Sequence, residues 1–392
     1  MRLLQAAGWE VALLGCEDSR NVVHAGPTFL VPAPPVTSPG AGGPWQKLRA
    51  FAAIVHNRSA RAVMERAIDE FRPDVVHCHS IYHHLSPSVL APLRERRIPA
   101  VMTLHDFKLL CPAIYLLDGQ QRPCMRCRGR APWHAIAGRC FKGSYLASLA
   151  VAFEAGLAGL RRVYWRSINP FVSPSRFLQS ALNSAGLLSR RVRYLPYVLS
   201  AEDFAPRPSP PEQDGSALFA GRLSVEKGIW PLVRAFASPR LRRFQLEIAG
   251  SGPLESLLRR FVENERLVNV HFLGRLHGAA MRQARFRSAI AVVPSMSFDN
   301  SPMAVYESLA AGRAVVGSEI GGIPELILSG ETGVLVPPGD EQALVEVIHR
   351  LLSAPREAYR LGREAWEYAR DRFSGATHLE QLAAIYDEAM AC

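Results

Sequence analysis

The sequence predicts an α/β protein built from two doubly wound, parallel-sheet domains. Short runs of Val, Ile and Leu recur along its 392 residues, each bounded by Gly, Ser or Pro, and helical patterns separate them. Continuous apolar strands that alternate with helices indicate parallel sheets covered on both faces. The length is sufficient for two cores of ordinary size.

In the first half the strand runs are VALLGC (11–16), VVHCH (75–79), AVMTLH (100–105), PFVSPS (170–175) and VRYLPY (192–197). The second half repeats the rhythm with ALFAGR (217–222), QLEIAG (245–250), VHFLGR (270–275), IAVVPS (290–295), AVVGS (314–318) and GVLVPP (333–338). Between them SAEDFAPRPSPPEQDGS (200–216) breaks both periods, which places one domain at 1–200 and the other at 201–374. GPTFLVPAPPVTSPGAGGP (26–44) reads as a mobile surface loop. No apolar run reaches the length of a membrane span; the nearest, GSYLASLAVAFEAGLAGL (143–160), contains Glu154, precedes Arg161 and Arg162, and reads as a buried or interfacial helix.

The formal charge of +11 is concentrated in residues 1–200, which hold 25 Lys or Arg against 11 Asp or Glu. Such a half suits acidic lipid headgroups or a phosphate-bearing acceptor, and equally a solvated Arg-rich surface. It lacks the interleaved basic and aromatic residues of nucleic-acid readers, so no nucleic-acid partner is expected. The N-terminus has no charged segment leading into an uninterrupted apolar stretch, and the seven cysteines are odd in number. Both features fit a cytoplasmic protein, with peripheral contact at the inner membrane face as the role for its basic half. Four cysteines cluster as Cys111, Cys124, Cys127 and Cys140. The central C-x2-C pair flanked by two further thiols is compatible with a structural zinc site, although free thiols or disulfides fit the spacing as well.

In open parallel sheets, ligands collect beyond the carboxyl ends of the strands. Arg222 ends one strand run, with Lys227 five residues on. GSGP (250–253) follows another, and Gly321 and Gly322 follow a third. Glycine turns let backbone N–H groups approach a phosphate, and Arg with Lys can neutralise a diphosphate. The segment FDNSPMAVYESLAAG (298–312) adds two carboxylates, Asp299 before a helix and Glu307 inside it. Ser301 followed by Pro302 reads as a helix start with Ser301 as N-cap. The helix N-terminus suits a phosphate, and the two acids suit hydroxyl groups.

Together GRLSVEKG, LEIAGSGP, VHFLGR, PSMSFDNSPMAVYESLAAG, GGIPEL and GETGVLVPPGD, in this order, resemble the family 4 (group 1) retaining glycosyltransferases of the GT-B fold. The resemblance implies two Rossmann-like domains facing a cleft, the second binding a nucleotide-diphosphate sugar and the first a glycan or lipid-linked acceptor. It also implies that a last helix, 375–392, crosses back to the first domain. Glu307 would hold the ribose hydroxyls and Asp299 a hydroxyl of the transferred sugar, while Arg222 and Lys227 neutralise the diphosphate. Gly221, Gly250, Gly252, Asn300, Ser301, Pro302, Met303 and Ala304 complete the implied donor set. His105 in TLHDF matches a histidine that faces the sugar, whereas His77 and His79 keep an ordinary structural reading. No cofactor, metal or protein nucleophile is required by the implied reaction. Two departures stand out. Asp299 is one methylene shorter than the family's glutamate, and the family's first strand with its glycine-rich loop has no counterpart before LQAAGWEVALLG. A non-catalytic sugar-nucleotide-binding protein is the competing expectation.

Overall fold

The computed structural model describes residues 1–19, 21, 25–32, 56–82, 84–187, 191–206 and 215–391. All eleven apolar runs form strands, and a twelfth appears at Thr28–Val31. In chain order the first-domain strands are β1 (Leu13–Cys16), β2 (Thr28–Val31), β3 (Val76–His79), β4 (Ala100–Thr103), β5 (Phe171–Ser173) and β6 (Val192–Tyr194). The second domain has β7 (Ser216–Ala220), β8 (Gln245–Ala249), β9 (Val270–Gly274), β10 (Ile290–Val293), β11 (Ala314–Ser318) and β12 (Gly333–Val336). β2 corrects the loop reading of 26–44 over its first residues: Thr28–Val31 pairs in parallel with β1, burying Phe29 and Val31. Residues 33–44, and 207–214 of the expected seam, lie outside the described residues.

The second domain is one parallel sheet of six strands in the order β12-β11-β10-β7-β8-β9. Its strand order reverses between β7 and β10, where such sheets open a ligand crevice. Strands β10 and β11 are buried at every position, as expected for a sheet covered on both sides.

In the first domain the strands fall into two sheets, β1-β2 and β3-β4-β5-β6. A cavity of about 650 Å³ separates them, lined by residues 9–14 and by all four residues of Val76–His79. Consecutive residues of a strand point to opposite faces, so a cavity touching four in a row runs along the strand's edge. The edge of β3 is thus open toward this cavity. The cavity walls are mainly apolar, with His77, His79, His105 and Tyr197 at one side.

The helix Pro355–Phe373 packs on the second domain through Ala365, Ala369 and Phe373. Ser374 is extended (φ −70°, ψ 158°) and redirects the chain. The helix Gly375–Met390 then buries Leu382, Ile385, Tyr386 and Ala389 against Val101, Val172 and Leu195 of the first domain. Arg193 donates to both carboxylate oxygens of Glu388 at 2.8 and 2.6 Å, pinning this helix to β6.

Polar contacts join the two domains. Asn300 donates through Nδ2 to the Leu104 carbonyl at 2.9 Å and accepts from Ser175 Oγ at 2.6 Å. Glu325 accepts the backbone N–H groups of Arg176 and Phe177 at 2.6 and 2.5 Å, capping the helix Arg176–Ser184 from across the seam. Phe177 stacks on Phe298 with ring centroids 5.1 Å apart.

Candidate active site

Loops that follow β7, β8 and β9 surround a cavity of about 810 Å³ in the second domain. Gly221 and Arg222 come from the first loop, Gly250 and Gly252 from the second, and Arg275 and His277 from the third. Ala304, Glu307 and Arg285 close the other side. The glycines of GSGP are there for steric reasons. A Cβ on Gly250, where φ is +151°, would lie 1.8 Å from the Gly221 carbonyl oxygen, and one on Gly252 would lie 2.4 Å from that of Leu223. Two backbone loops can approach this closely only without side chains, and the Gly221 and Gly250 N–H groups donate to the carbonyls of Ala249 and Gly274 at 3.0 and 2.7 Å.

Four arginines, 222, 275, 282 and 285, line this cavity. Arg285 was not foreseen from the sequence. It lies on the helix Gly278–Arg287 and forms an ion pair with Glu307, which sits in the helix Met303–Ala310. Burial pushes the Glu307 carboxyl up from its ordinary range and the Arg285 guanidinium down, each opposed by the other's charge. Arg285 Nε is buried and makes no hydrogen bond.

Asp299 and Lys227 do not line that cavity but meet at the switch point between β7 and β10. Lys227 Nζ donates to Asp299 Oδ1 at 2.6 Å, and Ser295 Oγ donates to Oδ2 at 2.5 Å. The glycines of GGIPEL support this loop rather than the cavity. The Gly322 N–H donates to the Asp299 carbonyl at 2.7 Å, and a Cβ on Gly322 would meet the Asn300 oxygen at 1.9 Å.

In the 300–303 segment the expected Ser301 N-cap is corrected, and the side chains of Asn300 and Met303 are placed away from the arginine-lined cavity. Asn300 does not turn its side chain toward a donor, because both polar atoms are engaged across the domain seam. Ser301 is not the N-cap; that place is taken by Pro302, with no side-chain cap. The Ser301 hydroxyl instead donates to the Pro174 carbonyl at 3.2 Å and bonds the Tyr306 hydroxyl at 2.7 Å. Met303 lines the inter-sheet cavity of the first domain rather than the arginine-lined one. At Asn300 and Ser301 the reason is burial: both lie between two domains, where unpaired polar groups would be costly.

His105 follows Leu104, and Asp299 precedes Asn300, so the Asn300–Leu104 bond brings the two catalytic candidates to the same interdomain seam. Both ring nitrogens of His105 are engaged, Nδ1 with the Tyr197 hydroxyl at 2.7 Å and Nε2 with His79 Nδ1 at 2.8 Å. His79, expected to be an ordinary structural histidine, is a hydrogen-bond partner of His105. His77 bonds Tyr386 at 2.8 Å and Thr103 at 2.7 Å. Desolvation, reinforced by the neighbouring His105, holds His79 down to about 4, and desolvation also lowers His105. Both rings are accordingly neutral near pH 7, and one must donate to the other.

This makes stability pH-dependent in a defined direction. Between the ordinary histidine value of 6.5 and about 4 the unfolded chain takes up a proton at residue 79 that the folded chain refuses. Stability is thus expected to fall as pH drops through that window. Urea titrations of the native protein and of His79→Gln at each pH check it; equal slopes for the two would contradict the assignment.

The four clustered cysteines line one small cavity of about 10 Å³ together with His134. Among the described residues, however, no group of three or more His, Cys, Asp or Glu is placed to hold a metal ion. Burial raises the Cys127 thiol to about 12 and raises Cys111 and Cys140 as well, which favours the protonated form.

Comparison with known proteins follows the same two-domain division. Residues 1–198 match the glycosyl transferase 4-like domain, and residues 215–354 match the glycosyl transferases group 1 model. The chain belongs to the group 1 glycosyltransferases. A glycogen synthase of Mycobacterium tuberculosis is 32% identical over 186 residues, 46% of this chain and 43% of the relative. An MMP alpha-(1->4)-mannosyltransferase of Mycolicibacterium hassiacum is 30% identical over 171 residues, 42% and 41% of the two chains. The chain thus spans less than half the length of these curated relatives. Among solved structures, sucrose-phosphate synthase from Thermosynechococcus elongatus superposes with a TM-score of 0.71 at 22% identity, covering 99% of this glycosyltransferase and 91% of that chain. HepE of Anabaena, solved in complex with UDP, gives 0.63 at 18% identity over 91% and 85% of the two chains. These likenesses show the GT-B fold.

Proposed function

We propose that this group 1 glycosyltransferase moves a sugar from a nucleotide-diphosphate donor to a hydroxyl of a glycan or lipid-linked acceptor, with retention of anomeric configuration. The arginine-rich, glycine-walled cavity containing Glu307 carries the reading. A nucleoside diphosphate brings two phosphates and a ribose diol, and the cavity offers cations, close-packed backbone loops and a carboxylate. Lys227 has three N–H donors, one already on Asp299, leaving two for diphosphate oxygens. Each Asp299 oxygen keeps a second lone pair for a sugar hydroxyl. The sugar C1–O bond to phosphate breaks as the acceptor oxygen bonds C1 on the same face, and the acceptor's proton passes to the departing phosphate oxygen. Arg222 and Lys227 stabilise the charge that develops there.

Proton NMR of slow donor hydrolysis tests the stereochemistry. From an α-configured donor, the first sugar released should be the α anomer; β first would contradict retention. The non-catalytic alternative draws its support from His105, whose two ring nitrogens are both held by protein groups. Donor binding without any sugar release would favour it.

A further inference from the structure

The helix Tyr145–Leu160 inverts the usual arrangement of a surface helix. Its exposed positions are Tyr145, Leu146, Leu149, Phe153 and Leu160, all of them apolar. Its one charged residue, Glu154, is buried, paired with Lys108. Ordinarily the polar face of a helix meets water and the apolar stripe meets the core. Residues 146, 149, 153 and 160 are separated by three, four and seven positions, which places them in one stripe along the helix. Leu146 is 80% exposed and Leu160 is 86% exposed, so this stripe is not a core face showing at its margin.

The charges around it are mostly positive; Asp118, paired with Arg122 at 3.2 Å, is an acid among them. Residues 122–166 contain nine Lys or Arg and one acid, the buried Glu154. All nine cations are exposed. Arg161, Arg162 and Arg166 follow directly on the helix, while Arg139 and Lys142 precede it, Arg139 lying over the Tyr145 ring at 4.6 Å. Beside the helix opens a cavity of about 980 Å³ whose lining includes Arg130, Arg162 and Arg166, with Trp133 and Leu160. Trp133 is itself exposed. An apolar stripe bordered by cations and an aromatic, on a helix that does not span a membrane, is the composition of an interfacial anchor.

We infer that this face docks on an anionic lipid bilayer, with the Leu146–Leu160 stripe entering the headgroup boundary and the flanking arginines meeting lipid phosphates. A second protein would offer apolar cover too, but this excess of exposed cations complements a negatively charged sheet of headgroups. The inference does not depend on the transfer reaction; if both hold, the enzyme works where a lipid-linked acceptor resides.

Co-sedimentation with vesicles tests it, using the whole chain. The protein should pellet with phosphatidylcholine–phosphatidylglycerol vesicles at low salt, far less with phosphatidylcholine alone, and less as salt rises. Arg161→Gln with Arg162→Gln should weaken binding about thirtyfold. The triple variant Leu146→Ser, Phe153→Ser, Leu160→Ser should abolish it while keeping the native Tm, because these side chains lie on the surface. No pelleting with anionic vesicles, or equal pelleting of the triple variant, would overturn the inference. So would light scattering that shows a dimer lost in the triple variant without vesicle binding, since the face would then belong to self-association.

Discussion

Lys227→Met is expected to lower the rate of sugar transfer by about 10²–10³ while leaving donor affinity within about tenfold. The reasoning starts from charge. As the C1–O bond opens, a full negative charge collects on the departing diphosphate, and a cation held beside it lowers the barrier more than it stabilises the ground state. Lys227 is held there by its 2.6 Å bond to Asp299, which is fixed in turn by Ser295. Methionine keeps the length of the stem and removes the ammonium. Single-turnover assays at saturating donor separate the chemical step from binding. A rate within threefold of the native one would remove Lys227 from the mechanism.

Glu307→Ala should cost donor affinity about 10–100-fold, the scale of a charge-assisted bond to a ribose diol. It should also destabilise the protein, because Arg285, 8% exposed with one nitrogen already lacking a partner, would lose its counter-charge. Removing one partner of a buried pair costs about 3–5 kcal/mol, but Glu307 is 26% exposed and solvent screens part of the pair, so about 1–3 kcal/mol is expected. Glu307→Ala with Arg285→Met separates the two effects. The double variant should recover stability in urea unfolding without recovering donor affinity. Affinity restored along with stability would mean that Glu307 acts only by holding Arg285.

Most strands were legible because a strand buried on both faces must be a continuous apolar run, and eleven such runs stood out between helical patterns. β2 was not, because TFLV is four residues long inside a stretch of prolines and glycines and takes its strand character from pairing with Leu13–Cys16. The glycines of GSGP and the cations near them were legible as a set, since close backbone approach leaves few alternatives to glycine. Arg285 left no comparable trace. It reaches Glu307, 22 residues on, only because two helices converge on one cavity. His79 could have been found. In the parallel register His79 pairs with Thr103, two residues before His105, so both histidines leave the same sheet edge side by side. The interdomain role of Asn300 and Ser301 was hidden for a different reason: a short polar side chain near a helix start fits a cap, a ligand contact or a seam equally well, and only the packing of the two domains decides among them.

The central claim is that the arginine-lined cavity of the second domain binds a nucleotide sugar. Thermal unfolding of the native chain against a panel of UDP-, GDP- and ADP-sugars addresses it directly, since a ligand bound only by the folded state raises Tm by an amount that grows with the logarithm of its concentration above Kd. The account predicts a concentration-dependent rise with at least one donor, reproduced by the matching nucleoside diphosphate. No rise with any donor or diphosphate at millimolar concentration would contradict it.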